Sequence, residues 1–232
     1  MGTLDLPVFA VNSARGFYDQ LLASAADAAT GKSDPSKMTA FLAAHPESVK
    51  ALAIISKRPI SSGFSDSTFN RLNAFLFVNS DGVSVPVRWS LVPTQPVVRE
   101  SSVESDSAAR DYLFESLIAQ LAQHPLQWRL LVAIAQPADP TRDATLPWPS
   151  DRQQLDAGTV TIEHVSSEDA GACNDVNFDP TVLPSGIEPS DDPQLSARSA
   201  VYAASFTLRA GEQREKSPSA VSPRTVLSAV KP

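Results

Sequence analysis

The chain has 232 residues, 42% hydrophobic and 19% charged, with a formal net charge of −7. That is enough apolar material for one large folded domain or two small ones, and it excludes the clustered Lys and Arg of a nucleic-acid-binding face. No apolar run approaches a membrane span. The opening MGTLDLPVFAVNSARG shows neither an export signal nor a myristoylation site, so the chain as written reads as cytoplasmic, or as periplasmic or secreted if a fuller gene product carries a signal.

Ser13 caps a predicted helix that carries Phe17, Leu21, Leu22 and Ala25 on one apolar stripe. Asp34-Pro35 is a cap followed by proline in the first turn, a strong helix start. Pro46 restarts helix in PESVKALAIISKR and Pro59 stops it. The two short helices are expected to pack together with Phe41, Leu42, Leu52, Ile54 and Ile55 inside, and His45 at their junction reads as a helix C-terminal residue. Two β-rich runs then flank Asn79-Ser80-Asp81-Gly82, a hairpin signal with turn residues suited to positive φ. The first run carries bulk on both faces (Leu72, Leu76 and Val78; Phe75 and Phe77), so it is expected to be covered on both. Pro86 marks an edge or bulge in the second.

A polar connector ending in a cap at Asp106 or Ser107 leads to a helix with Tyr112, Leu113, Phe114, Leu117, Ile118 and Leu121 at helical spacing, closed by Pro125. LQWRLLVAIAQP and GTVTIEHV read as strands, the second alternating and carrying His164 as a solvated residue. The single cysteine, Cys173, leaves no internal disulfide or cysteine metal cluster. His45, His124 and His164 lack metal-ligand spacing. There is no GxSxG elbow or phosphate-cradling glycine loop. A folded domain over 1–209 and a disordered polar tail over 210–232 are expected.

RSAVYAASFTLR places Arg198 four residues before Tyr202, so on a helix the two share one face, and Arg209 returns near that side almost two turns on. A cation held against a phenol favours the phenolate, and phenolates serve as ligands to ferric haem. An exposed arginine beside a half-buried core tyrosine has the same spacing, and the spacing alone does not choose between them.

The context is more specific. DPTRDATLPWPSDRQQLDAGTVTI is followed by VNFDPTVLPSGIEPSDDPQLSARSAVYAASFTLR. Phe178-Asp179-Pro180, Pro184, Gly186-Ile187-Glu188, Ser190, Asp192, Leu195, Arg198 and Tyr202 fall in the order of the haem catalase superfamily without a gap. Upstream, Pro7-Val8-Phe9, FLAAHPES, NAFLFVNSDG, VRW and the helix near Asp111 resemble the catalase-related peroxidases in the same order. The resemblance covers nearly the whole chain except the tail.

It implies an α+β fold: the second half of an antiparallel catalase-like β-barrel with packed helices and a C-terminal proximal haem helix. A half barrel of this kind leaves an unpaired edge and an open apolar face. It further implies a haem cofactor with Tyr202 as axial ligand to the iron, Arg198 hydrogen-bonded to its oxygen, Arg209 as the next basic residue near the haem, Pro180 as a haem-contacting proline and Phe17 as a distal aromatic. The implied activity is reduction of hydrogen peroxide or organic peroxides by an unidentified reductant, with self-assembly left open. The family's distal histidine motif and its RFS segment do not occur in these residues, and its distal asparagine would fall at Leu4 or Asp5. No catalytic acid–base residue is therefore assigned. An inactive haem-binding chain and a non-haem structural or interaction module remain the two other readings.

Overall fold

The computed structural model describes residues 3–58, 63–95, 112–167 and 176–211. Pro59, the cap expected at Asp106 or Ser107, Cys173 and the tail from 212 onward lie outside the described residues.

Helix α1 (Ala14–Ser24) starts at Ser13, whose Oγ accepts the Gly16 N–H at 3.1 Å. Helix α2 (Pro35–Ala44) starts at Asp34, which accepts the Ser36 N–H at 2.9 Å, and α3 (Pro46–Ile55) follows directly. Pro46 has no N–H to continue α2, while the His45 N–H still closes it on Phe41 O at 2.9 Å. Val11, Ala23 and Phe41 form the buried centre of this helical layer. The expected interior needs correcting in two places. In α1 the buried residues are Gly16 and Ala23, whereas Phe17, Leu21 and Leu22 lie 43–52% exposed. In α3 they are Ser48 and Ala51, with Leu52, Ile54 and Ile55 only half-buried. Small side chains let the helix backbones approach closely, which turns the bulkier stripe aside.

The strands are β1 (Phe69–Asn70), β2 (Phe75–Val78), β3 (Ser84–Pro93), β4 (Leu126–Ile134), β5 (Gln154–Ile162) and β6 (Ile187–Pro189). They form one open sheet in the order β5-β4-β3-β2-β6, every pair antiparallel, with β1 also on β3. The β2–β3 hairpin turns at Asn79–Gly82; among the four turn residues only Gly82 has positive φ, at +77°, and Asn79 Oδ1 accepts the N–H groups of Asp81 and Val83. Pro86 is tolerated because β4 pairing begins one residue later, at Val87, and Pro86 needs only to accept, from Ala135 N–H at 2.9 Å. Strand β5 is shifted from the expected 158–165 run, beginning at Gln154 and ending at Ile162, and it is exposed along its whole length. His164 lies beyond its end.

Helix α4 (Tyr112–Leu121) buries Ile118 and sets Phe114 edge-on to Phe64, ring centroids 5.5 Å apart. The last helix, α5 (Pro193–Gly211), places Leu195 in the main core with Phe75, Val87, Trp89 and Val132. This is an α+β architecture: one antiparallel sheet, not closed, with helices packed around it and a long C-terminal helix against the core.

Between β1 and β2 the chain bulges. Asn70 pairs with Ser90 and Phe75 with Val87, and the Arg71 N–H still bonds Trp89 O at 2.8 Å. From Arg71 to Phe75 the chain advances four residues while its partner advances two, from Trp89 to Val87. Such bulges re-aim side chains, and here the extra residues carry Asn73 towards α5.

Candidate functional site

Helix α5 begins at Asp192-Pro193, a cap followed by proline, as α2 does. Asp192 Oδ1 accepts the Gln194 N–H at 2.9 Å, and Asp192 O accepts the Leu195 N–H at 3.1 Å. Leu195, Arg198 and Tyr202 then fall at i, i+3 and i+7, one face of the helix.

On that face Arg198 Nη2 donates to Tyr202 Oη at 2.9 Å, and its guanidinium carbon stands 5.3 Å from the ring centroid. Arg198 Nη1 donates to Asn73 Oδ1 at 3.1 Å, and Asn73 Nδ2 donates to Asp192 Oδ2 at 2.8 Å. The network thus runs from the phenol through Arg198 and Asn73 to the carboxylate that starts the helix. Asn73 and Asp192 are 3% and 4% exposed. Burial pushes the Asp192 carboxyl above the ordinary aspartate range, opposed by the Asn73 and Gln194 hydrogen bonds and by the charge of Arg88. Arg71, also buried, lies over the Phe75 ring at 4.5 Å and faces Trp89 at 5.8 Å. Burial first, and the positive charge of Arg198 second, lower its pKa to about 10, with Tyr202 opposing.

A second anchor holds the middle of α5. Ser199 Oγ donates to Asp179 Oδ2 at 2.6 Å, and Asp179 Oδ1 accepts from Thr181 N at 2.8 Å and Thr181 Oγ1 at 2.7 Å. These donors keep the Asp179 carboxyl below its ordinary range. They also fix buried Pro180 beside the helix. Gln194 Nε2 donates to Val11 O, which ties α5 to the segment entering α1.

Of the residues singled out in the sequence, Arg198 and Tyr202 are in direct contact and Pro180 is tied to the same helix. Arg209 is exposed near the end of α5, 5.7 Å over the Phe206 ring and donating to Val176 O at 3.4 Å. Phe17 sits on α1, which packs on α5, with its ring 5.8 Å from Phe9. Asn73, Arg71 and the bracing part of Asp192 were not foreseen. The repeated Asp-Pro start was a readable sign for Asp192; the bulge depends on strand pairing and left no local sign.

Among the described residues no three His, Cys, Asp or Glu side chains converge as a metal-binding set. On α5 the Tyr202 oxygen has a charge partner in Arg198. Helices α1 and α5 also expose Phe17, Leu21, Val201, Phe206 and Leu208. A half-buried phenol held by a guanidinium, with apolar surface on the adjoining helices, suits a flat, apolar, metal-bearing ligand such as haem. The histidines lie elsewhere in the fold: His45 contacts Asp19 Oδ2 at 3.3 Å and Glu47 Oε1 at 3.2 Å, while His124 and His164 are exposed.

The family model described as Catalase matches residues 2–229. A catalase-related peroxidase of Synechococcus elongatus is 37% identical over 209 residues, covering 90% of this chain and 62% of the relative. One of Mycolicibacterium paratuberculosis is 34% identical over 200 residues, covering 86% and 62%. The chain therefore spans about three fifths of the length of these two relatives. In three dimensions it is similar to a bacterial catalase (TM-score 0.76, 19% identity, 90% of this chain and 43% of that one). It is equally similar to a fungal catalase (TM-score 0.76, 16% identity, 98% and 46%). Both likenesses agree with the partial catalase-like α+β fold.

Proposed function

This chain belongs to the catalase family, and from that premise we propose that it serves a haem-dependent peroxidase. Hydrogen peroxide or an organic peroxide would be the oxidant, a reductant outside the chain would supply electrons, and Tyr202 would hold the haem iron through its phenol oxygen. The observation that carries this reading is the 2.9 Å hydrogen bond from Arg198 to the Tyr202 oxygen, braced through Asn73 to Asp192.

When bound, haem supplies the redox-active iron that exchanges electrons with peroxide. The chain's own residues supply the setting. Arg198 stabilises negative charge on the Tyr202 oxygen and directs it, since the guanidinium is itself fixed by Asn73. Pro180 and Phe17 offer apolar contact to the ring, and Arg209 offers a cation to a carboxylate of the cofactor. Each of these roles is part of the proposal.

Hemin titration of the 232-residue protein beside Tyr202→Phe tests it. The expected result is saturable binding with a high-spin ferric tyrosinate spectrum that the variant lacks, while circular dichroism of the two proteins agrees. An unchanged spectrum in the variant overturns the ligand assignment. A second reading, that this chain holds haem without turning over peroxide, is supported by His45, whose two ring nitrogens are committed to Asp19 and Glu47. Turnover of an organic peroxide by the loaded protein separates the two readings.

A further inference from the structure

A second guanidinium, that of buried Arg71, rests on the core rings against which α5 seats Leu195. Leu195 packs with Phe75 and Trp89, and Arg71 lies on those same two rings, 4.5 Å and 5.8 Å from their centroids. Because Leu195, Arg198 and Tyr202 share one helical face, the aromatic pair that seats Leu195 also seats Arg71 alongside that face. The backbone fixes the arginine as well. Its N–H is bonded to Trp89 O at 2.8 Å, at the last regular pairing before the chain bulges towards Asn73. Guanidinium over aromatic faces is a favourable arrangement when desolvated, and it holds the charge in place where a flexible surface arginine would wander.

We propose that Arg71 is a positioning residue for the cofactor ligand: a second fixed positive charge that acts through space on the Tyr202 oxygen, beside the direct hydrogen bond from Arg198. The inference rests on the reading of Tyr202 as haem ligand. The electrostatic response of Arg71 agrees with the geometry, since it is lowered by Arg198 and raised by Tyr202. The effect has a definite sign. A cation near the ligand favours the anionic oxygen that binds ferric iron, and it favours the less positive oxidation state of that iron over the more positive one. Removing the charge therefore weakens hemin binding and lowers the ferric/ferrous midpoint potential. Replacing it with another cation does neither.

The test uses the full chain with Arg71→Met, Arg71→Lys and Tyr202→Phe, each titrated with hemin and followed by spectroelectrochemistry. Arg71→Met is expected to keep the tyrosinate spectrum, to bind hemin roughly tenfold more weakly, as one neighbouring charge shifts such equilibria by about an order of magnitude, and to show a lower potential. Arg71→Lys is expected to restore most of both. Equal affinity and potential in Arg71→Met overturn the inference. So does a loss in Arg71→Lys as large as in Arg71→Met, because the guanidinium's shape, and not its charge, then matters. If Arg71→Met does not fold, Arg71→Lys decides alone: near-native affinity and potential support the charge, and a tenfold loss refutes it. Failure of Tyr202→Phe to change the spectrum sinks the ligand reading separately.

Discussion

Asn73→Ala breaks the network at its middle. Two hydrogen bonds to charged groups are lost, Arg198 Nη1 to Asn73 Oδ1 at 3.1 Å and Asn73 Nδ2 to Asp192 Oδ2 at 2.8 Å. Hydrogen bonds to charged groups contribute about 1.5–3 kcal/mol each. Arg198 is half-buried and regains water, so its loss belongs at the low end. Asp192, 4% exposed, keeps the Gln194 N–H but loses its side-chain donor, so its loss belongs nearer the top. The sum is roughly 4–4.5 kcal/mol, readable as a lower urea midpoint at unchanged slope in the haem-free protein at pH 7.

The pH dependence is the sharper part of the prediction. The folded pKa of Asp192 is raised by burial. A raised group favours the folded state in its protonated form, so its contribution is fully present below the unfolded pKa and is lost as pH rises through the folded pKa. Removing Asn73 takes away the strongest of the interactions that hold that pKa down, so the folded carboxyl rises further and the penalty for ionising it grows. The deficit of Asn73→Ala should therefore be full at pH 7 and shrink near the ordinary aspartate pKa of about 3.9. A deficit below about 1 kcal/mol at pH 7, or one of equal size at both pH values, would mean that Asn73 does not stabilise the ionised Asp192 carboxylate.

Two further perturbations probe the elements that carry the site. Gly186 has φ +83° and its added Cβ would stand 3.2 Å from Val78 O, on the strand β2 that pairs with β6; Gly186→Ala should cost about 1–3 kcal/mol, and an unchanged melting temperature would contradict that. Arg152→Ala removes the partner of Asp139, whose side chain is 3% exposed and whose carboxyl Arg152 holds below the ordinary range. That contribution is present above the unfolded pKa and lost as pH falls through the folded one, so the urea midpoint should drop at pH 7 and converge with the parent in acid. A constant difference would assign Arg152 a purely packing role.

Local chemistry made several elements legible in the sequence. Asp34-Pro35 starts a helix because a cap and a proline act within one turn, Pro46 starts one as a first-turn proline without a side-chain cap, and Asn79–Gly82 turns the hairpin by equally local chemistry. The outward stripe of Phe17, Leu21 and Leu22 was not legible, because periodicity shows which residues share a face but not what covers it. Strand β5 was found by its alternation, yet its exposure on both faces depends on what lies beside it. The three-residue β6 is too short for a periodic signal. Asn73 and Asp192 are 119 positions apart, and only the register shift between β1 and β2 brings them together.

That long-range contact explains how so few residues can set the position of Tyr202. Asp192 has two jobs that would usually fall to different side chains. One oxygen accepts the Gln194 N–H and fixes where α5 begins; the other accepts Asn73, which fixes Arg198. The start of the helix sets its rotational phase, and the phase decides which way residue 202 points. Arg198 then sets the direction of the phenol oxygen on that same face. A change that moved the helix start would therefore disturb the Arg198–Tyr202 pair even with both residues intact. The sheet contributes through the bulge at 71–74, which supplies Asn73 to the network and seats Arg71 over Phe75 and Trp89. Helix phase, arginine direction and sheet register thus converge on one oxygen, and the Tyr202 assignment can be tested from positions far from it in the sequence.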